Sequence, residues 1–293
     1  PGMARQGKQG SKPRFSRLVE NQFRLHIDTI NAKRGFSAIV KPSEIVSLTN
    51  KLHGTSAVFA NLLTQRPKTI KEKIQSFFGV NVNTTEYGSI YSSRKVVKNK
   101  HINEDQPEGF YKVDLWGKHN DDLKDVIPKG VSVYGEIVGY VNGTEGMVQK
   151  GYHYGEEVGQ SKFYAYRVTS TNADGDVFEF TWQQVKDFCM KYSITHVPEF
   201  YYGLAKDIYP DIPVNDEWHG KVIERLSTDY NLEKPCAMNN DEVPAEGLVI
   251  RPERLYDCVP LKLKAFAFLE NETKQLDSGE VDIESQESEE FED

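Results

Sequence analysis

The sequence predicts an α+β protein in which helices and strands are mixed along one chain. Three segments space their apolar residues with the period of a helix, and three others alternate side chains in the manner of a β-strand. The chain has 293 residues and is 38% hydrophobic, which is enough to bury a sizeable core. One large globular unit or two small ones are therefore expected.

The two ends of the chain are expected to lie outside the folded body. Residues 1–17 contain five basic residues and no acidic one, with Gly, Ser and Pro between them, which predicts a flexible basic arm. Residues 270–293 are acidic and poor in apolar residues, which predicts a disordered tail. The folded body is thus placed at residues 18–269. Residues 271–293 carry ten acidic residues and one lysine, a local charge of −9, so residues 1–270 carry +1 of the net −8.

Neither a membrane span nor a signal peptide is expected. The sequence has no run of about 18 apolar residues, and its N-terminus is basic and polar. The three cysteines, Cys189, Cys236 and Cys258, lie far apart and form no CxxC pair, which favours neither a zinc site nor a disulfide framework. An intracellular protein of the cytoplasm or nucleus, with no membrane partner, is expected.

The clearest helix is predicted at Thr69–Phe78. Thr69 and Glu72 form a capping-box pattern, and the apolar residues that follow recur with helical spacing. Two further helices are predicted at Trp182–Tyr192 and at Trp218–Leu226.

Two predicted strands each carry a carboxylate. In VSVYGEIVGY, at Val131–Tyr140, alternation places Glu136 in the middle of one face. In EGLVIRPE, Glu246 stands at the strand entrance and is expected to share a face with Leu248 and Ile250. Either carboxylate, taken alone, could simply face water.

The third predicted strand, PLKLKAFAF at Pro260–Phe268, places two lysines on one face. Lys262 and Lys264 share one face of the strand, and Leu261 and Leu263 share the opposite face. If this face is covered, the two ammonium groups repel each other and lose solvation. They then need an anion, and a phosphate is the obvious candidate.

Six short motifs follow one another along the chain. They are KLHG at 51–54, SSRKVVKN at 92–99, YGEIVG at 134–139, FYAYRV at 163–168, EGLVIR at 246–251 and LKLK at 261–264. A lysine three residues before a glycine occurs about once by chance in such a chain, so KLHG alone is weak. Their combination in this order resembles the covalent nucleotidyltransferase superfamily of polynucleotide ligases and capping enzymes. The resemblance covers roughly residues 23–268.

Within this superfamily the chain is more similar to the ATP-dependent RNA ligases. His53 stands where DNA ligases and capping enzymes usually have aspartate, and FRLHIDT at Phe23–Thr29 also looks like an RNA-ligase segment. Asn50 departs from the glutamate that many relatives have before the lysine. The resemblance implies a nucleotidyltransferase fold of largely antiparallel sheets flanked by helices, with the nucleotide pocket between them.

The resemblance also implies a mechanism. Lys51 would attack the α-phosphate of ATP to form a lysine-AMP adduct, and AMP would pass to a 5′-phosphate RNA end that a 3′-hydroxyl then attacks. Lys262 and Lys264 would act in catalysis, because nearby cations favour the neutral amine of Lys51 and stabilise phosphate charge.

The remaining roles implied by the resemblance concern binding. Glu136 would bind the ribose, Tyr166 would stack on adenine, Glu246 would hold Mg²⁺ or Mn²⁺ through water, and Arg94 would contact the sugar or the RNA end. Alternation places Tyr166 on the same face as Tyr164. The full set implied to bind nucleotide is Lys51, His53, Gly54, Arg94, Glu136, Tyr166, Glu246, Lys262 and Lys264. His26 and Asp28 are expected to order the turn into the domain, with a role toward the substrate as the alternative.

The expected partners are RNA ends, either single-stranded or held at a nicked duplex. The basic cluster of Arg94, Lys95, Lys98 and Lys100 is by default a solvated face, and the alternative is that it binds RNA next to Arg94. No separate nucleic-acid-binding domain is expected within this sequence. Either the nucleotidyltransferase domain acts alone, or a partner protein or a missing accessory domain helps to hold the RNA. Two rival hypotheses are a capping-type guanylyltransferase that uses GTP, and an inactive RNA-binding relative.

Overall fold

A computed structural model of the chain describes residues 18–94, 97–98, 113–229, 236–240, 242–256 and 258–277. The strands are β1 (Ile30–Asn31), β2 (Ile45–Lys51), β3 (Thr55–Gln65), β4 (Thr85–Ser92), β5 (Val97–Lys98), β6 (Val131–Gly139), β7 (Ser161–Thr171), β8 (Val177–Glu179), β9 (Glu199–Leu204), β10 (Gly247–Pro252) and β11 (Leu261–Lys264). The helices are α1 (Ala32–Ile39), α2 (Ile70–Phe77), α3 (Leu115–Leu123), α4 (Trp182–Tyr192), α5 (Trp218–Asp229) and α6 (Phe266–Asp277).

The strands form two sheets. The six-stranded sheet has the order β5-β4-β3-β6-β7-β8 and is antiparallel throughout. The five-stranded sheet has the order β1-β11-β10-β2-β9, and only β1 and β11 are parallel. The predicted α+β class with largely antiparallel sheets is confirmed. Because β2 belongs to one sheet and β3 to the other, the KLHG motif lies where the chain crosses between them.

The predicted helices are present. Helix α4 has the predicted bounds, and Thr181 and Gln184 form a capping box at its start. Helix α5 continues to Asp229, three residues past the predicted end. Helix α2 has the predicted capping box of Thr69 and Glu72.

The apolar residues of α2 do not face the core. Ile70, Phe77 and Phe78 are 78%, 85% and 75% exposed, and no residue of this helix is buried. Helical spacing therefore predicted the helix correctly. In the described residues, α2 is stabilised by its N-terminal cap and not by burial of its apolar side chains.

The predicted strand at Pro260–Phe268 is half strand and half helix. The backbone N–H of Ala265 donates to the backbone carbonyl oxygen of Glu246 just after β11 ends, and α6 begins at the next residue. Short apolar runs fit either element, and here Phe268 turns into the core from a helix. Helix α6 also extends past the predicted body boundary at Leu269, so residues 270–277 of the predicted tail are helical. Residues 1–17 and 278–293 lie outside the described residues.

A large hydrophobic core joins most of the elements, and a small second cluster contains Ala60, Leu62 and Ile90. The large core contains the three tryptophans, Trp116, Trp182 and Trp218, each almost fully buried. Cys189 and Cys236 are buried as well. In the described ranges, no helix is both long and apolar enough to cross a bilayer.

A buried histidine is expected to make the stability of the folded protein pH-dependent. His119 lies 2.8 Å from the hydroxyl of Ser161, and burial lowers the pKa of His119 from 6.5 to about 4. The unfolded chain takes up this proton near pH 6.5, whereas the folded protein resists it until about pH 4. As the pH falls from 6.5 to 4, we expect the free energy of unfolding to decrease by about 3 kcal/mol from the protonation of His119 alone. Urea unfolding at several pH values measures this, and a His119→Gln variant that retained the full slope would contradict the assignment.

Candidate active site

A pocket lies between the two sheets, and most of the predicted site residues line it. Its walls come from β2, β10 and β11 on one side and from β3, β6 and β7 on the other, with part of the segment before β1. The predicted residues that line it are Lys51, Arg94, Glu136, Tyr166, Glu246, Lys262 and Lys264. Motifs that are up to 213 residues apart in sequence thus meet in one cavity.

The register of the five-stranded sheet orders the residues of one wall. Ser47, Thr49 and Lys51 alternate on the pocket face of β2, so Ser47 lies about 13 Å from Lys51 along the strand. Across the sheet, Lys51 is level with Lys264, and Ser47 is level with Arg251. The wall therefore has a lysine end and an arginine end.

At the lysine end, two ammonium groups surround one carboxylate. The Lys51 Nζ lies 2.6 Å from Oε1 of Glu246, and the Lys264 Nζ lies 3.8 Å from the same oxygen. The Lys264 Nζ also lies 3.1 Å from Oε1 of Glu272, on α6. Glu246 is only 3% exposed, so its charge acts in a poorly solvated place.

Lys262 adds a third cation one step along the wall. Burial lowers the pKa of Lys262, and the positive charges of Lys51, Lys264 and Arg94 lower it further. The lysine end thus holds more positive charge than its own carboxylates compensate, and an anion bound there would relieve the repulsion.

Glu246 reaches this pocket because the chain turns at Gly247. Glu246 lines the pocket together with Val249, whereas Leu248 and Ile250 are fully buried on the other face. The prediction that Glu246 shares a face with Leu248 and Ile250 is therefore wrong. Gly247 has φ 141°, a conformation that interrupts the alternation and that side-chain-bearing residues rarely adopt.

A Gly247→Ala variant is expected to lose at least about 3 kcal/mol of stability or to fail to fold. The added Cβ would lie 2.0 Å from the carbonyl oxygen of Leu263, which is backbone and cannot rotate away. Gly220→Ala is the matched control, because Gly220 lies in α5 with nothing within 4 Å of the added Cβ. Chemical unfolding measures both variants, and equal stability of Gly247→Ala and the wild type would contradict the expectation.

His53 and Gly54, which the resemblance implies as nucleotide-binding residues, lie behind the pocket wall and do not line it. The His53 ring packs edge-on against Tyr152 and Phe268, with centroids 4.9 and 5.0 Å away. A Cβ at Gly54 would lie 2.3 Å from the carbonyl oxygen of Ile137. Both residues fix the course of the chain next to Lys51, so their position supports a structural part in the site.

The opposite wall carries Glu136 and Tyr166. Glu136 is buried on β6 and paired with Ser56 of β3, which also lines the pocket. The β6–β7 pairing shifts register, so that Tyr166 is an extra residue between two paired ones. Simple alternation therefore does not apply here, and Tyr166 lines the pocket while Tyr164 does not.

The segment before β1 belongs to the site, whereas the sequence interpretation favoured a role of His26 and Asp28 in ordering the turn. The Nδ1 of His26 lies 2.7 Å from the hydroxyl of Tyr166, and Asp28 forms a 2.7 Å ion pair with Arg94. Burial and the charge of Arg94 lower the pKa of His26 to about 4, so its ring is neutral at ordinary pH. The FRLHIDT motif, which resembles an RNA-ligase segment, was the available signal.

The sequence interpretation also missed the arginine end, where Arg167 of β7 and Arg251 of β10 line the pocket. Arg167 bonds to Glu179 and Arg251 to Glu253, and all four side chains are buried. Both arginines lie within the FYAYRV and EGLVIR motifs, but nothing in the sequence indicates that two different sheets bring them together.

The family of the chain follows from a comparison with known families. Residues 44–264 match the RNA ligase family, and this range contains nearly every residue of the pocket. The chain belongs to the RNA ligase family. The sequence resemblance to ATP-dependent RNA ligases is thereby confirmed at the level of the family. A comparison with curated protein sequences gave no match.

Solved structures of an RNA ligase from Naegleria gruberi share this RNA ligase fold. The structure with pyrophosphate has a TM-score of 0.52 and 13% identity, and the match covers 93% of this chain and 64% of that one. Two variants with ATP and Mn have TM-scores of 0.51, at 15% and 12% identity, and cover 90% and 89% of this chain. The chain spans less than two thirds of the length of each of these structures.

The residues of the pocket fit a divalent metal only in part. In the described ranges, no group of three or more His, Cys, Asp or Glu side chains is placed to hold a metal ion. Oε2 of Glu246, however, is buried without a hydrogen-bond partner there. Mg²⁺ is commonly held by one or two carboxylates together with phosphates and water. The site therefore fits a metal that binds along with substrate phosphates.

The predicted RNA-binding cluster is described only at Arg94, which lies at the pocket wall. Lys95 and Lys100 lie outside the described residues, and for Lys98 only the backbone of β5 is described. A role of this cluster in binding RNA stays a prediction.

Proposed function

We propose that the protein is an ATP-dependent RNA ligase that joins 5′-phosphate and 3′-hydroxyl RNA ends through lysine-AMP and RNA-adenylate intermediates. The observation that carries the proposal is the lysine end of the pocket, where Lys51 lies beside Lys264 and Glu246. Three cations next to a buried carboxylate suit displacement at a phosphate, because positioning and charge neutralisation supply most of the catalysis of such reactions.

In this proposal, Lys51 is the nucleophile for the α-phosphate of ATP. Lys262 and Lys264 neutralise phosphate charge, and the same cations favour the neutral, nucleophilic amine of Lys51. The depressed pKa of Lys262 supports this, because it reflects mutual repulsion among these lysines in addition to burial. The Lys51 ammonium lies 2.6 Å from Oε1 of Glu246, and this carboxylate is placed to accept its proton.

The rest of the nucleotide would lie along the pocket toward the arginine end. Glu136 is buried where the ribose would follow the phosphate, and Tyr166 is held by its bond to His26 where a base would stack. Arg94, fixed by Asp28, would contact the sugar or the RNA end.

Mg²⁺ or Mn²⁺ is proposed as the metal, with Glu246 as its protein ligand. When bound, such an ion neutralises phosphate charge and orients the triphosphate. The Naegleria gruberi enzyme, which was solved with ATP and Mn, supports a divalent ion in this fold.

RNA with a 5′-phosphate and a 3′-hydroxyl end is the proposed substrate. Because the chain spans less than two thirds of the Naegleria gruberi ligase, an additional domain or a partner protein is proposed to help hold the RNA. Single-stranded ends and a nicked duplex both remain within the proposal, and the joining assay below separates them.

The test is incubation of the protein with ATP or GTP, each labelled at the α-phosphate, followed by denaturing electrophoresis. A protein band labelled from ATP, and joining of RNA ends in a second reaction, are expected. Joining is compared between a nicked duplex and the same strands unpaired. Labelling from GTP alone would instead support the guanylyltransferase hypothesis, and RNA binding without any labelled band would support the inactive relative.

A further inference from the structure

We propose that Arg167 and Arg251 recognise the edge of the nucleobase by donating hydrogen bonds to its ring nitrogens. The proposal deepens the function proposed above and depends on its placement of a nucleotide in this pocket. It assigns a binding role to two buried side chains that the adenylate chemistry does not use.

The position of Arg251 suits the base of a nucleotide whose phosphate lies at Lys51. Arg251 is level with Ser47, which lies about 13 Å along β2 from Lys51. About one nucleotide fits between the level of Lys51 and the level of Arg251. Val249, between Arg251 and Glu246 on the same face, offers an apolar surface where a base would lie flat.

Arg167 approaches the same place from the other sheet. It follows Tyr166 on β7 and is paired with Tyr134, two residues from Glu136. The two arginines are adjacent across the pocket, because Arg251 donates to the carbonyl oxygen of Phe180 and the preceding residue, Glu179, binds Arg167.

Each guanidinium group has one nitrogen left over. Arg167 and Arg251 are both 7% exposed, and each uses Nε and Nη2 to bind its glutamate. Nη1 of each is buried with no hydrogen-bond partner in the described part of the chain. A buried donor without a partner is unfavourable, so a ligand that supplies an acceptor here is bound more tightly than one that does not.

The charge at this end favours a neutral acceptor over a second phosphate. Glu179 and Glu253 balance Arg167 and Arg251 one to one, so the arginine end has no excess positive charge. The lysine end does have such an excess. The two ends therefore orient the nucleotide, with its phosphates toward Lys51 and a neutral base toward the arginines.

The chemistry of adenine matches these donors. Guanidinium groups only donate, and adenine presents unsubstituted ring nitrogens that only accept. A site built to donate a hydrogen bond rejects an analogue that lacks the acceptor, because its own buried donors then stay unpaired. Recognition here therefore depends on ring nitrogens, not on the phosphates.

The experiment uses ATP analogues in which one ring nitrogen is replaced by C–H, namely 1-deaza-, 3-deaza- and 7-deaza-ATP. KM for formation of the covalent adduct is measured for each, and nucleotide binding is measured separately by the ligand-induced rise in Tm. In the wild type, at least one analogue is expected to bind 10-fold or more weakly than ATP. If all three analogues match ATP, the proposal is overturned.

Two variants test the residues themselves. Arg167→Lys and Arg251→Lys retain a charge for the partner glutamate but lack Nη1. We expect each to raise KM for ATP with little change in kcat and to bind the sensitive deaza analogue as well as ATP. Arg254→Lys is the matched control, because Arg254 binds Glu44 through the same Nε and Nη2 atoms and does not line the pocket. If both pocket variants discriminate among the analogues as the wild type does, the assignment is overturned.

The binding measurement separates this proposal from the proposed function. Discrimination among the analogues in Tm without any covalent labelling would contradict the ligase mechanism and support base recognition. Covalent labelling by ATP and by all analogues with equal KM would support the mechanism and contradict base recognition.

Discussion

Replacement of Lys51 by alanine is expected to abolish labelling of the protein by ATP, with a loss beyond the detection limit of the assay. The adduct requires a nitrogen nucleophile at this position. The other lysines of the pocket, Lys262 and Lys264, lie on a different strand, β11, and are not expected to replace Lys51. Electrophoresis after incubation with labelled ATP measures the adduct. Joining of ordinary RNA ends should be lost in parallel.

Lys51→Arg is the control for charge at this position. It keeps the positive charge opposite Glu246, so the fold and Tm should be retained, yet a guanidinium is not deprotonated in proteins and cannot attack. RNA that is supplied already adenylated at its 5′ end bypasses the first step, and the Lys51 variants should still join it. A labelled adduct in Lys51→Ala would show that another residue is the nucleophile.

Replacement of Lys264 by methionine is expected to slow formation of the adduct by about 10²- to 10³-fold, the usual effect of removing one group that stabilises charge in a transition state. Methionine keeps most of the length of the lysine side chain and removes the charge, together with the contact of the Lys264 ammonium with the Phe268 ring, which is 5.0 Å away. The rate is measured at saturating ATP, so that weaker binding does not contribute.

Lys274→Met is the matched control for this variant. Lys274 is an exposed lysine in the last turn of α6, the helix that follows β11, and it does not line the pocket. Its replacement should leave the rate unchanged. If Lys264→Met reacted as fast as Lys274→Met, Lys264 would have no part in the chemistry.

The sequence allowed much of the pocket to be predicted because its residues lie in short motifs with characteristic order. Lys51, Glu136 and Glu246 could be named from KLHG, YGEIVG and EGLVIR, and the structure places them in one cavity. The local signals of α4, its capping box and its apolar spacing, gave its bounds. Such features depend on neighbouring residues, which a sequence displays directly.

The features that were missed depend on backbone geometry or on distant contacts. Alternation failed at Gly247, where a positive φ turns Glu246 toward the pocket, and at Tyr166, where a register shift adds a residue. Arg167 and Arg251 line the same pocket from two different sheets, and no local sequence pattern indicates this arrangement. The apolar side of α2 shows the opposite limit, because spacing alone does not say whether a helix face is covered.

The carboxylates at the lysine end, Glu246 and Glu272, would compete with phosphate for the lysines. Lys51 is engaged by Glu246 and Lys264 by Glu272 before any phosphate enters. In the proposed function, binding of a triphosphate would thus be an exchange of anions, in which a phosphate would displace the protein's own carboxylates from the lysines. Fewer salt ions are released to the solvent in such an exchange than when a phosphate meets lysines that face water. The affinity for ATP should therefore depend less steeply on ionic strength than the number of cations in the pocket alone suggests.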